Sequence, residues 1–332
     1  MAKDSSFSRN DIIDLIAAYG GAERVPGKFK IITDTSDFFR VEYNDVVLLG
    51  DTALWVKRYE KEGRFGIDEQ PKYWVRRAID LRTGTTKIIK LVFHEKFDTK
   101  IGDIVIKCFR SPQKEARILD LVAEHDQFMH GTWTLDSAGN NIRILDFIYG
   151  HTLDQRLDQQ GRDHHDYFHN HFPDLLDHYC TLVGAIKFLH DHGEKHGDIR
   201  RDHIIWDRKR RIYRWIDFDY NYMHGESMFG FDLHGLGNIL IFLVGRGDIL
   251  VHDLYHEQRP LFDRLWGEDL NISYKNRVAN LAKIFPYIPE SLNRVLLHFS
   301  QGAQIFYENT EQMLADLATA QADVATLTGR KS

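Results

Sequence analysis

The chain predicts an α+β protein, a β-rich N-terminal part followed by a larger helical part, and three observations carry that expectation. From Phe29 to Phe109 the apolar residues fall in short alternating runs rich in aromatic and β-branched types, broken by turn signals such as Asn44-Asp45 and Gly50-Asp51. Beyond residue 170 they recur at helical spacing, as in Leu175, Leu176, Tyr179, Leu182, Val183, Ile186 and Leu189. With 332 residues and 43% apolar content, the chain can bury one large core or two coupled ones.

In order along the chain, residues 8 to 19 carry Ile12, Ile13, Leu15, Ile16 and Ala17 on a helical pattern that Ser8 or Asn10 can cap and Gly20-Gly21 ends. Strands follow at Phe38–Tyr43 and Ala53–Lys57. Residues 73 to 80 and 85 to 93 flank Leu81-Arg82-Thr83-Gly84, which reads as a hairpin, and Ile104–Phe109 is a further alternating run. Ser111-Pro112 opens a helix with proline at its first position. Ile142–Ile148 is another apolar strand, and Phe231–Leu240 and the stretch from Ile288 to Leu317 read as helices. Arg208-Lys209-Arg210-Arg211 reads as a solvated turn between two apolar strands.

The bulk properties exclude several classes. A formal charge of -6 and a pI near 6.3 argue against a general nucleic-acid binder. Cys108 and Cys180 are too few for a disulfide framework or a cysteine-only zinc site. No apolar run approaches the ~18 residues a membrane helix needs, and the N-terminus is polar, so the expectation is a soluble cytoplasmic protein without a membrane partner. The repeated histidines of His164, His165, His169 and His171 read as a polar surface near a helix start, although the spacing of His165 and His169 also suits a transition metal. Tyr213, Trp215, Tyr220 and Tyr222 read as strand packing rather than a stacking platform.

The most informative segment is His196-Gly197-Asp198-Ile199-Arg200-Arg201-Asp202-His203, followed after the basic turn by Trp215-Ile216-Asp217-Phe218-Asp219. It resembles the two-part catalytic core of the protein-kinase-like superfamily, and the likeness extends in the right order over about residues 67 to 320. The run around Lys90 resembles the second and third kinase strands. That resemblance implies a bilobal fold: an N-terminal extension or cap over 1–66, an N-lobe and hinge over 67–150, a C-lobe over 151–325 and a tail over 326–332. It implies that Val75 and Ala78 line an adenine pocket, that Lys90 grips the α and β phosphates, and that Glu115 orients it; Lys107, in a second alternating run, is the competitor for the lysine role. Leu145 becomes the gatekeeper, with backbone near Asp146 and Ile148 bonding adenine. Asp198 becomes the catalytic base, Arg200 a neutraliser of the transferred phosphoryl group, Asp217 the Mg²⁺ ligand, and Asp232 a brace for the catalytic loop. The implied ligand is ATP with Mg²⁺ or Mn²⁺ between lobes, and the acceptor a protein or small-molecule hydroxyl, with Ser/Thr-type protein phosphorylation favoured.

Four departures bear on that implication. His203 stands where the family has asparagine, offering imidazole nitrogen where a hard cation prefers oxygen, with Asp202 beside it as an alternative oxygen. One-metal catalysis, a preference for Mn²⁺, and nucleotide binding without turnover all follow from that exchange. The Gly-rich phosphate loop is replaced by Gly63-Arg64-Phe65-Gly66. Asp217-Phe218-Asp219 ends like the small-molecule kinases of the aminoglycoside and choline type, and Gly197 replaces the arginine that pairs with a phosphorylated activation loop. Finally, no Ala-Pro-Glu lies between Asp217 and Asp232, so an ordinary peptide-docking platform is truncated or absent.

Overall fold

The computed structural model describes residues 7–64, 67–157, 163–223 and 227–330, with backbone only over 62–69. The chain is α+β and divides into two compact units, residues 1–95 with 110–148, and residues 96–109 with 149–332.

The first unit is built on a sheet. Helix α1 (Arg9–Gly20) starts at Ser8, whose side chain accepts from the Asp11 amide while Asp11 accepts from the Ser8 amide, a reciprocal cap. Strands β1 (Ile31–Ile32), β2 (Val46–Leu49), β3 (Thr52–Arg64), β4 (Ile67–Asp80) and β5 (Thr86–Lys90) follow. After an excursion into the second unit come α2 (Pro112–Leu121), which Ser111 caps, then the strands at Gly131–Leu135 and Asn141–Asp146. The seven strands pair in the order β1, β2, β3, β4, β5, Asn141–Asp146, Gly131–Leu135.

Alternation sorts the side chains to two faces. Val46, Leu48, Ala53, Trp55 and Ile79 meet Ile12 and Ile16 of α1 on one face. Val47, Leu49, Leu54, Val56, Ala78, Ile89 and Ile144 form a second core on the other, with Val41 against it. Arg76 points into this second face, fully buried, and its guanidinium donates to the Val41 and Phe38 carbonyls, which ties the turn at Phe38–Arg40 to the sheet. Burial lowers its pKa to about 10. Both faces are therefore covered, and β2, four consecutive apolar residues, is buried throughout.

The second unit is helix-rich and begins with an excursion of the chain. Strands β6 (Lys96–Ile101) and β7 (Ile104–Arg110) form a hairpin between β5 and α2 in sequence, yet β6 and all of β7 but Arg110 belong to this second unit. With the strands of the first unit counted as β8 (Gly131–Leu135) and β9 (Asn141–Asp146), the unit continues through β10 (Gly150–Thr152), α3 (Leu153–Leu157), α4 (His164–Asn170) and α5 (Phe172–Asp191). Strands β11 (Ile204–Asp207), β12 (Ile212–Trp215) and β13 (Tyr220–Met223) lead into α6 (Gly230–Val244), α7 (Val251–Glu257), α8 (Arg259–Phe262), α9 (Glu290–Leu297) and α10 (Thr310–Thr328). Two small sheets result, β10-β11-β12 and β13-β7-β6. Leu175, Leu176, Tyr179, Leu182, Val183, Ile186 and Leu189 are all buried along α5, as their spacing predicts. Among the described residues no helix is long and apolar enough to cross a membrane.

Candidate functional site

In the first unit, the chemistry gathers on one face of the sheet. Regular pairing sets Val75 opposite Lys90, Lys90 opposite Arg143 and Ile88 opposite Leu145, so Val75, Lys90, Arg143 and Leu145 share a face. Glu115 reaches that face from the first turn of α2. Its Oε1 accepts from Lys90 Nζ at 2.7 Å and its Oε2 from Arg143 Nε at 3.0 Å, with all three residues buried. Arg143 also donates to the Asn141 carbonyl. The arginine was missed by motif reading, though a charged residue inside Ile142-Arg143-Ile144-Leu145 is itself a signal that something must balance it.

Val75 and Ala78 do not line one pocket. Three residues apart on a regularly paired strand, they present side chains to opposite faces, Val75 beside Lys90 and Ala78 into the core of Val47, Leu54 and Ile89. Asp146 falls on the Ala78 side, its carboxylate 2.5 Å from Lys87 Nζ and its amide donating to the His130 carbonyl, and Ile148 is buried just beyond the strand. Lys107, the competing lysine, sits exposed on β7 opposite Asp98 and belongs to the second unit. Of the glycine pair in place of a phosphate loop, Gly63 and Arg64 end β3, while Phe65 and Gly66 lie outside the described residues.

In the second unit, Asp232 at the start of α6 organises the loop. It is fully buried; one oxygen accepts from the His196 amide at 2.7 Å and from His190 Nε2 at 3.1 Å, the other from the Gly197 amide at 2.9 Å. Burial pushes its pKa up, but these hydrogen bonds and the neighbouring histidines outweigh burial and hold the carboxyl below its ordinary value. Gly197 has φ 87°, a left-handed conformation that glycine adopts without strain and that turns consecutive amides toward one carboxylate. Gly235 lets α6 approach the loop: a Cβ there would stand 2.7 Å from Ile199 Cβ.

Downstream of that brace, His203 is buried between two carboxylates. Its Nδ1 donates to the Asp198 carbonyl at 2.9 Å and lies 3.5 Å from Asp198 Oδ2; its Nε2 lies 3.5 Å from Asp217 Oδ2. The carbonyl can only accept, so Nδ1 carries a hydrogen, and Nε2 faces the Asp217 carboxylate. Asp217 holds φ 63°, a left-handed conformation uncommon among non-glycine residues. Arg200 makes a two-pronged pair with Asp202 and lies 4.0 Å from Asp198 Oδ2. Asp202 therefore spends both oxygens on Arg200, and although burial raises its pKa, the charges of His203 and Arg200 bring it below the ordinary carboxylate value.

The remaining sequence features resolve into structure. Tyr213, Trp215, Tyr220 and Tyr222 are all buried, with Trp215 Nε1 donating to the Leu182 carbonyl. His164 stacks on Phe285 at 3.4 Å and bonds Tyr287 and the Val244 carbonyl, and burial lowers its pKa to about 4. His165 and His169 stack at 4.0 Å, and among the described residues the histidine-rich segment forms no group of three ligating side chains. Arg208–Arg211 lie exposed in the turn between β11 and β12.

No family model matches the chain, and no curated protein matches it in sequence. Among solved structures, the chain is similar to a cysteine-to-alanine variant of the PknI kinase domain of Mycobacterium tuberculosis, at 13% identity and a TM-score of 0.48, over 85% of this chain and 99% of that one.

Proposed function

We propose that the chain is a phosphotransferase that moves the γ-phosphoryl group of ATP to a hydroxyl. The observation that carries this reading is the braced loop in which Asp198, His203 and Asp217 stand together within 3.5 Å steps. Phosphoryl transfer asks for positioning and charge neutralisation, and a proton acceptor, a fixed guanidinium and a cation site meet those demands. In this reading Asp198 takes the proton of the acceptor hydroxyl and Arg200 faces the developing phosphoryl charge. Asp217 Oδ2 and His203 Nε2 offer one oxygen and one nitrogen to a divalent cation, a set that suits Mn²⁺ better than Mg²⁺. That cation supplies charge neutralisation on the phosphates when bound. Among the residues of the first unit, the resemblance assigns the phosphate grip to Lys90, which Glu115 holds, and the adenine contact to backbone near Asp146 and Ile148, with Leu145 and Val75 on the Lys90 face.

The resemblance favours serine or threonine hydroxyls of proteins as acceptor. A small-molecule acceptor is favoured by a different observation: β13 follows Asp219 at once and is hydrogen-bonded into a sheet with β7, which occupies the segment where a peptide platform belongs. The test is transfer of radiolabelled γ-phosphate by purified protein with Mg²⁺ and then Mn²⁺, beside Asp198→Ala and a nucleotide-binding titration. Transfer that is higher with Mn²⁺ and falls by about 10² to 10⁴ in the variant supports the reading. Nucleotide binding with no transfer to protein or small-molecule hydroxyls under either metal replaces it with a nucleotide-gated binding module.

A further inference from the structure

The hairpin β6–β7 departs from the β-rich unit, between the strand of Lys90 and the helix of Glu115, to pair with β13, the strand that directly follows Asp217-Phe218-Asp219. One face of the resulting three-stranded sheet is core: Ile101, Ile106, Cys108 and Tyr222 pack there, with Phe231 and Ile272 against them. The register places Lys96 opposite Phe109 and Asp98 opposite Lys107, so these four share the other face, and Met223, alternating with Tyr222, joins them. Against this sheet lies an open cavity of about 740 Å³, lined by these five residues and by Phe97 and Cys108, which alternate to the core side. Its size is that of a small-molecule site.

The lining has a definite chemistry. Lys96, Asp98 and Lys107 are exposed and make no hydrogen bond or ion pair within the described residues, although Asp98 and Lys107 are direct cross-strand neighbours. Two cations against one anion leave an excess positive charge, and Phe109, Phe97 and Met223 supply apolar surface, with Met223 two-thirds exposed. Met223 ends β13, four residues after Asp219, so the cavity wall continues directly from the Asp217-Phe218-Asp219 segment.

We infer that this cavity is the acceptor subsite of the phosphotransferase proposed above, and that it takes a small hydroxyl compound bearing a carboxylate or phosphate and an apolar or aromatic face. Lys96 and Lys107 bind the anionic group, and the rings and thioether hold the body. The inference rests on the phosphotransferase reading for the word acceptor, but the site itself is testable without turnover.

The test uses three probes matched in ring and hydroxyl but differing in charge: 3-phenyllactate, 3-phenylpropane-1,2-diol and phenylalaninol. Binding to the full chain is measured by ligand-observed NMR, alongside an independent titration of ATP. The expected order is anionic over neutral over cationic, with about tenfold between the first and last, and the double variant Lys96→Glu with Lys107→Glu inverts it. Met223→Trp, which fills the cavity without changing charge, weakens all three. Absence of binding by every probe, or a charge order that the double variant leaves unchanged, overturns the inference. If the order holds and inverts while ATP does not bind, the anion site stands and the phosphotransferase reading falls.

Discussion

The two units handle buried charge in different ways. In the first, side chain meets side chain: Glu115 divides its two oxygens between Lys90 and Arg143, on a rigid sheet and the first turn of a capped helix. In the second, side chain meets backbone: Asp232 collects two consecutive amides and a histidine, and the loop it holds then sets His203 between Asp198 and Asp217. A paired strand and a capped helix need no help to stay in place, so the Glu115 carboxylate is left to hold Lys90 and Arg143. A loop has no ladder of its own, and a buried carboxylate supplies the missing partners.

That contrast can be broken first at Glu115. Glu115→Gln leaves Lys90 and Arg143 facing a neutral amide, and a loss of about 3 to 5 kcal/mol in unfolding free energy is expected, measured by chemical denaturation. A loss below 1 kcal/mol would show that the pairing is not what holds that face.

Asp232 sharpens the other half. Its folded pKa lies below the ordinary value of 3.8, so its contribution is present above about pH 4 and disappears as pH falls through the folded value; Asp202 has the same sign. The loop at residues 196–203 should therefore lose hydrogen-exchange protection as pH falls below about 4, before β5 does, after correction for intrinsic rates. Asp232→Asn, with its amide unable to serve three donors, is expected to cost about 2 to 3 kcal/mol and to flatten that acid dependence. Equal loss of protection in β5 and the loop would erase the distinction.

The smallest effect tests the cover on the sheet. Ser8→Ala removes one half of the reciprocal cap of α1 and should cost about 1 kcal/mol, with faster exchange confined to residues 11 to 16.

Much of the candidate site was legible because its parts are contiguous. His196, Gly197, Asp198 and His203 lie within one turn and loop, and Asp217 follows an apolar strand, so the resemblance that nominates them could be read from one short stretch. Asp232 was legible through its place in an apolar helix. Arg143 was not, because its role comes from lying across a strand pair from Lys90, a relation of register rather than spacing. Val75 and Ala78 were assigned to one pocket by the resemblance, and strand alternation separates them. The hairpin at 96–109 reads locally as two strands, with no local sign that it joins β13 rather than the sheet on either side of it in sequence.

Local chemistry therefore decided which residues could carry a proton, a cation or a turn, and hydrophobic periodicity decided which segments became strands or helices. Tertiary structure alone decided which sheet each strand entered, which face each side chain took, and where Asp202 spent its charge. The reason is physical: propensity and capping act over a few residues, whereas strand partnership and ion pairing are chosen by packing among segments far apart in the chain.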